Sequence, residues 1–149
     1  SLIHATDLLE RYNALIKPAL NNDSIVLCDR YYYTSYARDS VRDSYAHLDD
    51  IYDSMRKPDI IFYCKAPIEK CIERASDKGM INYYAAGMDL NLHHDQDENL
   101  KHYYHLMNKA YDKILSQEDN CFLIDTDRDI NEITRDVCHI INQFLDTRI

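Results

Sequence analysis

Asp29 and Arg30 stand side by side at the end of a short apolar run, Ile25-Val26-Leu27-Cys28, and Tyr31 follows them. A carboxylate beside a guanidinium suits phosphate chemistry. Asp29 can hold a metal ion through water, and Arg30 can grip a phosphate with its planar fork. An apolar run without alternation reads as a strand buried on both faces, the habit of a parallel sheet covered by helices. Such sheets bind ligands outside the carboxyl ends of their strands. The plain alternative is a strand that simply ends in polar residues.

Other residue types carry less. Among seven histidines, His93-His94 are adjacent, and His102 and His105 share a helical face. Without a third ligand at proper spacing they read as exposed polar residues rather than a metal site. The five cysteines (Cys28, Cys64, Cys71, Cys121, Cys138) form no Cys-x-x-Cys pair. They read as buried, reduced, cytosolic thiols acting as small hydrophobes. Only two glycines occur, Gly79 and Gly87, so no Walker-type phosphate loop lies within these residues.

The elements that position these residues follow from periodicity. Leu8, Tyr12, Leu15, Ile16 and Leu20 predict a helix over about 6–20, with Thr6 or Asp7 as cap and a kink or end at Pro18. A turn at 21–24 leads into the strand 25–28. Residues 32–43 and 47–55 predict two further helices, the second broken by Lys57-Pro58-Asp59. A second buried strand spans 60–64. Pro67 suits the first turn of a helix over 68–76, which Gly79 ends. Residues 80–97 are irregular and read as a mobile loop or lid with a short helix. Leu100, Tyr103, Met107, Tyr111, Ile114 and Leu115 mark a long amphipathic helix. A third buried strand covers 121–124, a charged loop 125–129, and a last helix runs from Ile130 to Phe144. Strands alternating with helices predict an α/β domain with a parallel sheet. Three strands make that sheet thin, and an amino-terminal strand-loop-helix-strand upstream would complete it.

The 149 residues suit one domain, 1–149, able to bury a proper core. No apolar run is long enough to span a membrane, and no signal peptide is visible. A net charge of -9 argues against a nucleic-acid polymer as partner. It leaves room for a small phosphate ligand held by a few local arginines. Of Tyr31, Tyr32, Tyr33 and Tyr36, one or two at most stack on a base, and the others pack between helix and sheet.

Several stretches then fall into a familiar order. Ile16-Lys17-Pro18-Ala19-Leu20 precedes Ile25-Val26-Leu27-Cys28-Asp29-Arg30-Tyr31. Lys57-Pro58-Asp59-Ile60-Ile61-Phe62-Tyr63 follows, and then Ile124-Asp125-Thr126-Asp127-Arg128-Asp129-Ile130. In this order and spacing the chain resembles a divergent branch of the thymidylate kinase family of P-loop nucleoside monophosphate kinases. The resemblance runs from about His4 to the carboxyl end.

The resemblance implies a three-layer P-loop kinase-like fold, a parallel sheet with helices on both faces, whose first strand and phosphate loop are missing from these residues. It implies ATP as phosphate donor, Mg2+, a nucleotide acceptor such as dTMP, cytoplasmic location and a homodimer. It implies that Asp29 and Arg30 are catalytic, with Asp29 in the metal region. His4, Tyr31, Thr34, Arg38 and Asp39 would meet the acceptor. Arg74 and Lys78 would approach the donor nucleotide, with Asp127 and Arg128 flanking its adenine, and residues 78–97 would be lid-like.

Departures from the family's pattern are visible too. His4 and Leu8 stand where the family places an aromatic and an arginine that hold thymine. Arg38-Asp39 replaces a Tyr-Gln pair, and the lid segment is poor in arginines. Two other readings therefore stand beside a dTMP kinase: a non-catalytic nucleotide-binding or regulatory domain, and a kinase of another small phosphorylated acceptor. On any of them, the chain by itself transfers no phosphate at a useful rate.

Overall fold

The computed structural model describes residues 2–43, 49–77, 79 and 81–147. The first apolar periodicity becomes one interrupted helical rod: α1 (Leu2–Arg11), a π turn (Tyr12–Ile16) and α2 (Lys17–Asn21). Pro18 sits in the first turn of α2, where its missing N–H costs little. The widened π turn just before it takes up the misfit, so the chain neither ends nor breaks there. The rod starts earlier than position 6, and neither expected cap acts as one. The Thr6 hydroxyl donates to the Leu2 carbonyl at 2.9 Å, and Asp7 pairs with Arg11 at 2.7 Å.

After the turn, α3 (Tyr32–Val41) and α4 (Asp49–Tyr52) follow, then β1 (Ile61–Lys65) and α5 (Ile68–Asp77). The expected helix start at His47 lies outside the described residues. A 3-10 turn (Met88–Leu90) leads to α6 (Gln96–Leu115), β2 (Cys121–Asp125) and α7 (Ile130–Asp146). The acidic run ahead of α6 is its capped first turn. Asp95 accepts from the N–H groups of Asp97 and Glu98, both at 3.0 Å, and so begins the helix earlier than Leu100. Asp129 caps α7 in the same manner, accepting from Asn131.

β1 and β2 pair in parallel, Ile61 opposite Cys121 through Lys65 opposite Asp125. Their β-branched and aromatic residues favour this geometry. Asn120 donates to the Pro58 carbonyl at 2.7 Å where the strands begin, and the Thr126 N–H donates to the Lys65 carbonyl at 2.8 Å where they end.

Residues 25–28 do not form the expected buried strand. Among the described residues the ladder joins β1 and β2 alone, and a strand exists only where its N–H and C=O groups find a partner. The segment is extended but unpaired. Val26 packs on the core, while Ile25 is 82% and Leu27 90% exposed. The strands at 61–65 and 121–125 are also less buried than a sheet covered on both faces requires, since Cys64 and Leu123 face solvent. The expected buried thiols share this fate: Cys28, Cys64 and Cys138 are exposed, Cys71 and Cys121 half-buried, and all five are free.

The core is tyrosine-rich. Tyr32 and Tyr33 are buried with Ala5, Tyr12, Ile16, Tyr52, Met55 and Leu115 between the rod, α3, α4 and the end of α6. Tyr32 stacks on Tyr52 with ring centroids 5.5 Å apart, and Tyr36 meets Tyr52 edge-on at 5.0 Å. No described helix is long and apolar enough to cross a membrane.

Candidate functional site

Asp29 and Arg30 lie in the bend between the unpaired extended segment and α3. Both are exposed, and neither enters a hydrogen bond or ion pair among the described residues. Arg30 is held at φ 70°, a left-handed conformation that a residue with a Cβ adopts at a cost. Tyr31 is the N-cap of α3 and makes no side-chain cap bond. The first N–H groups of α3 are therefore unsatisfied by a capping side chain, and the positive end of the helix faces the same bend as the free guanidinium. An arginine beside such a helix end suits an anion.

Arg30 also acts on the hydroxyl of Tyr104, in the middle of α6. Burial pushes the pKa of that hydroxyl up, Cys71 of α5 and Tyr103 add to the rise, and Arg30 opposes it. The bend thus lies alongside α6, with α5 next to it.

The structure brings His4, Arg38 and Asp39 together. Asp39 is 8% exposed, and its Oδ2 has no hydrogen-bond partner among the described residues. Burial pushes its carboxyl above the usual value, against the pull of Arg42, His4 and Arg38. A buried carboxylate oxygen without a donor is costly and calls for a donor from elsewhere. Thr34, one turn before Arg38 on α3, accepts a hydrogen bond from Tyr111 of α6 at 3.0 Å. The Tyr31 hydroxyl donates to the Arg56 carbonyl at 3.1 Å. Both residues thus also bind parts of the fold to each other. Tyr32, Tyr33 and Tyr52 are core residues, in line with the packing alternative for the tyrosines.

Arg74, Asp127 and Arg128 gather at the carboxyl end of β2. Arg74 of α5 donates to the Thr126 carbonyl at 3.0 Å, and Arg128 pairs with Asp136 of α7 at 2.6 Å. Asp127 donates its N–H to the Asp125 carboxylate at 2.9 Å. Beside them, an open groove of about 550 Å³ runs along the carboxyl ends of both strands, lined by Lys65, Pro67, His105, Asp112, Leu123 and Asp125. Lys65 is held there by Asp112 at 2.8 Å. Lys78 lies outside the described residues.

One cluster was not anticipated. Arg42, at the carboxyl end of α3, forks onto Asp89 at 2.8 and 3.0 Å. It also donates to the Tyr84 carbonyl at 3.2 Å and the Tyr103 hydroxyl at 3.3 Å. The pair is about one-fifth exposed, and the Arg42 bonds hold the Asp89 carboxyl below the usual range. Largely buried bidentate pairs of this kind contribute about 1.5–3 kcal/mol. In the sequence Arg42 is one charge among several on α3. No local signal joins it to an aspartate 47 residues away.

The two clusters and the strand-end rim describe an α/β fold whose charged residues meet at the outlets of a parallel sheet. The thymidylate kinase family model matches residues 2–137, and the chain belongs to that family, which has the P-loop kinase fold. A probable thymidylate kinase 2 of Saccharolobus solfataricus is 34% identical over the whole of this chain and 71% of its own length. A thymidylate kinase of Fervidobacterium nodosum is 29% identical over 89% of this chain and 63% of its own. A probable thymidylate kinase of Caldivirga maquilingensis is 27% identical over 95% and 62%. The chain thus spans roughly two thirds of the length of these relatives.

Proposed function

We propose that this chain is the acceptor-binding and donor-capping part of an ATP-dependent nucleoside monophosphate kinase, with dTMP the leading acceptor. The supporting observation is the free Asp29–Arg30 pair at the uncapped amino end of α3, in a chain of the thymidylate kinase family. Phosphoryl transfer is chiefly positioning plus neutralisation of charge on oxygen, which an unpaired guanidinium next in the chain to a helix amino end would provide. In this reading Arg30 holds the acceptor's phosphate. His4, Arg38 and Asp39 meet the acceptor's base or sugar, and the Asp39 oxygen lacking a donor takes one from it. Arg74, Asp127 and Arg128 flank the donor's base.

Asp29 fits a magnesium ion, which takes one or two carboxylates and leaves its other positions to water and phosphate. The free, exposed carboxylate would serve as such a ligand. Bound there, the ion would neutralise phosphate charge. A phosphate loop would come from sequence outside these 149 residues, pairing its strand with the open edge of the sheet.

The test is a coupled ADP-release assay of the full-length gene product across a panel of nucleoside monophosphates. Turnover with dTMP and its loss in Arg30→Ala are the expected results. Flat rates with every monophosphate would favour the non-catalytic binding domain, and a preference for another acceptor would favour the substitution of Arg38-Asp39 as the cause.

A further inference from the structure

Residues 81–91 leave α5 and reach α6 without regular structure beyond one 3-10 turn, yet they are fastened at three points. Ala86 is wholly buried, and its carbonyl accepts from the buried Asn99 side chain at 3.1 Å. The same side chain accepts from the His93 N–H at 3.0 Å, so one asparagine of α6 secures both sides of the turn. Gly87, at φ 66°, lies against the Tyr103 ring so closely that a Cβ would stand 2.4 Å from its Cγ. Those two fastenings tie the segment to α6 alone. The third is Arg42, which reaches over from α3 to Asp89 and to the Tyr84 carbonyl while its guanidinium lies 5.4 Å from the Tyr103 ring centre. Meanwhile Tyr83 and Tyr84 are held with their rings in solvent.

We infer that Arg42 is a positioning residue: its fork on Asp89 is the catch that holds residues 81–91 as a strap against α3, the helix carrying Arg38 and Asp39. With the catch made, strap, α3 and α6 form one body. With it broken, the strap stays on α6 through Asn99 and Gly87 but parts from α3. Arg42 follows Asp39 by three residues and faces its carboxylate's field, so a ligand that alters Asp39 acts on the strap's anchor. The catch stands on geometry alone; its coupling to acceptor binding rests on the function proposed above.

The experiment follows chymotryptic cutting after Tyr83 and Tyr84, and hydrogen exchange of 81–91, in the chain with and without dTMP, while calorimetry measures dTMP binding. Asp89→Asn should raise strap cutting about tenfold and leave exchange in α6 and α7 unchanged. Arg42→Lys keeps the charge but loses the fork. It should give an intermediate rise of about threefold, and it serves if Asp89→Asn does not fold. Bound dTMP should slow strap cutting in the parent chain and lose that effect in Asp89→Asn. Cutting unchanged in both variants overturns the catch. Bound dTMP that leaves the strap unaltered in the parent overturns the coupling. If dTMP does not bind at all, the proposed function and the coupling fall together, while the cutting rates still decide the catch.

Discussion

At the residue scale, two side chains sit where stability alone would not put them. Arg30 adopts φ 70°, which glycine accepts freely and arginine does not. Arg30→Gly is expected to stabilise the chain by about 1 kcal/mol in denaturant unfolding, whereas Arg30→Ala, with its Cβ, gains nothing. On the proposed function, both variants should lower kcat/KM of the full-length gene product about 100-fold or more, because both would lose the group proposed to hold the acceptor's phosphate. Asp39 is the second case. Burial raises its carboxyl above the ordinary 3.8. The folded state then holds this proton more tightly than the unfolded one. Stability falls as pH climbs from 3.8 through the raised value. Asp39→Asn carries no such deficit. It should be about 1 kcal/mol more stable than the parent at neutral pH, and the gap should close well below 3.8. Unfolding curves at the two pH values measure it. On the proposed function, acceptor binding should weaken in the same variant, an exchange of stability for function.

At the element scale, the strap is the part most sensitive to small changes. Gly87→Ala meets the Tyr103 ring and keeps a left-handed backbone, so it is expected to cost about 2–4 kcal/mol. Thermal unfolding and exchange of 81–91 would both report it. The long elements are legible in the amino-acid sequence. The apolar spacing of α6 and α7, the Pro67 start of α5 and the Gly79 stop all appear where periodicity and capping put them. The run at 25–28 is not. Apolar residues announce a need for burial but do not name the neighbour, and the ladder bonds depend on one. The catch is equally hidden, since Arg42 and Asp89 meet only through the packing of α3 on α6. Of the candidate site, the Asp29–Arg30 junction is readable because charge at an apolar boundary is a local pattern. The burial of Asp39 is not, since it depends on α1 lying over α3.

At the scale of the whole molecule, the two-stranded sheet leaves apolar surface in water. Ile25, Leu27, Leu123 and Ile130 are all more than half exposed. Apolar groups in such numbers favour association. The chain is expected to self-associate with rising concentration in light scattering, and Leu27→Lys should reduce that without moving the unfolding midpoint, because the side chain touches little. Among the described residues the sheet also has unpaired edges, which add to the same tendency.

The interior ring cluster has a consequence at the opposite end of the pH scale. Burial lifts the phenols of Tyr31 and Tyr33 far above their ordinary value of 10.0. The unfolded chain can release those protons at about 10.0 while the folded one retains them, so alkali drains the folded population from that value upward. With thirteen tyrosines and no tryptophan, the chain carries its own gauge. Phenolate absorbance should rise in two waves on base titration, an early one from exposed rings and a late, cooperative one that coincides with loss of helical dichroism. A single smooth wave would mean that the packed rings ionise in place.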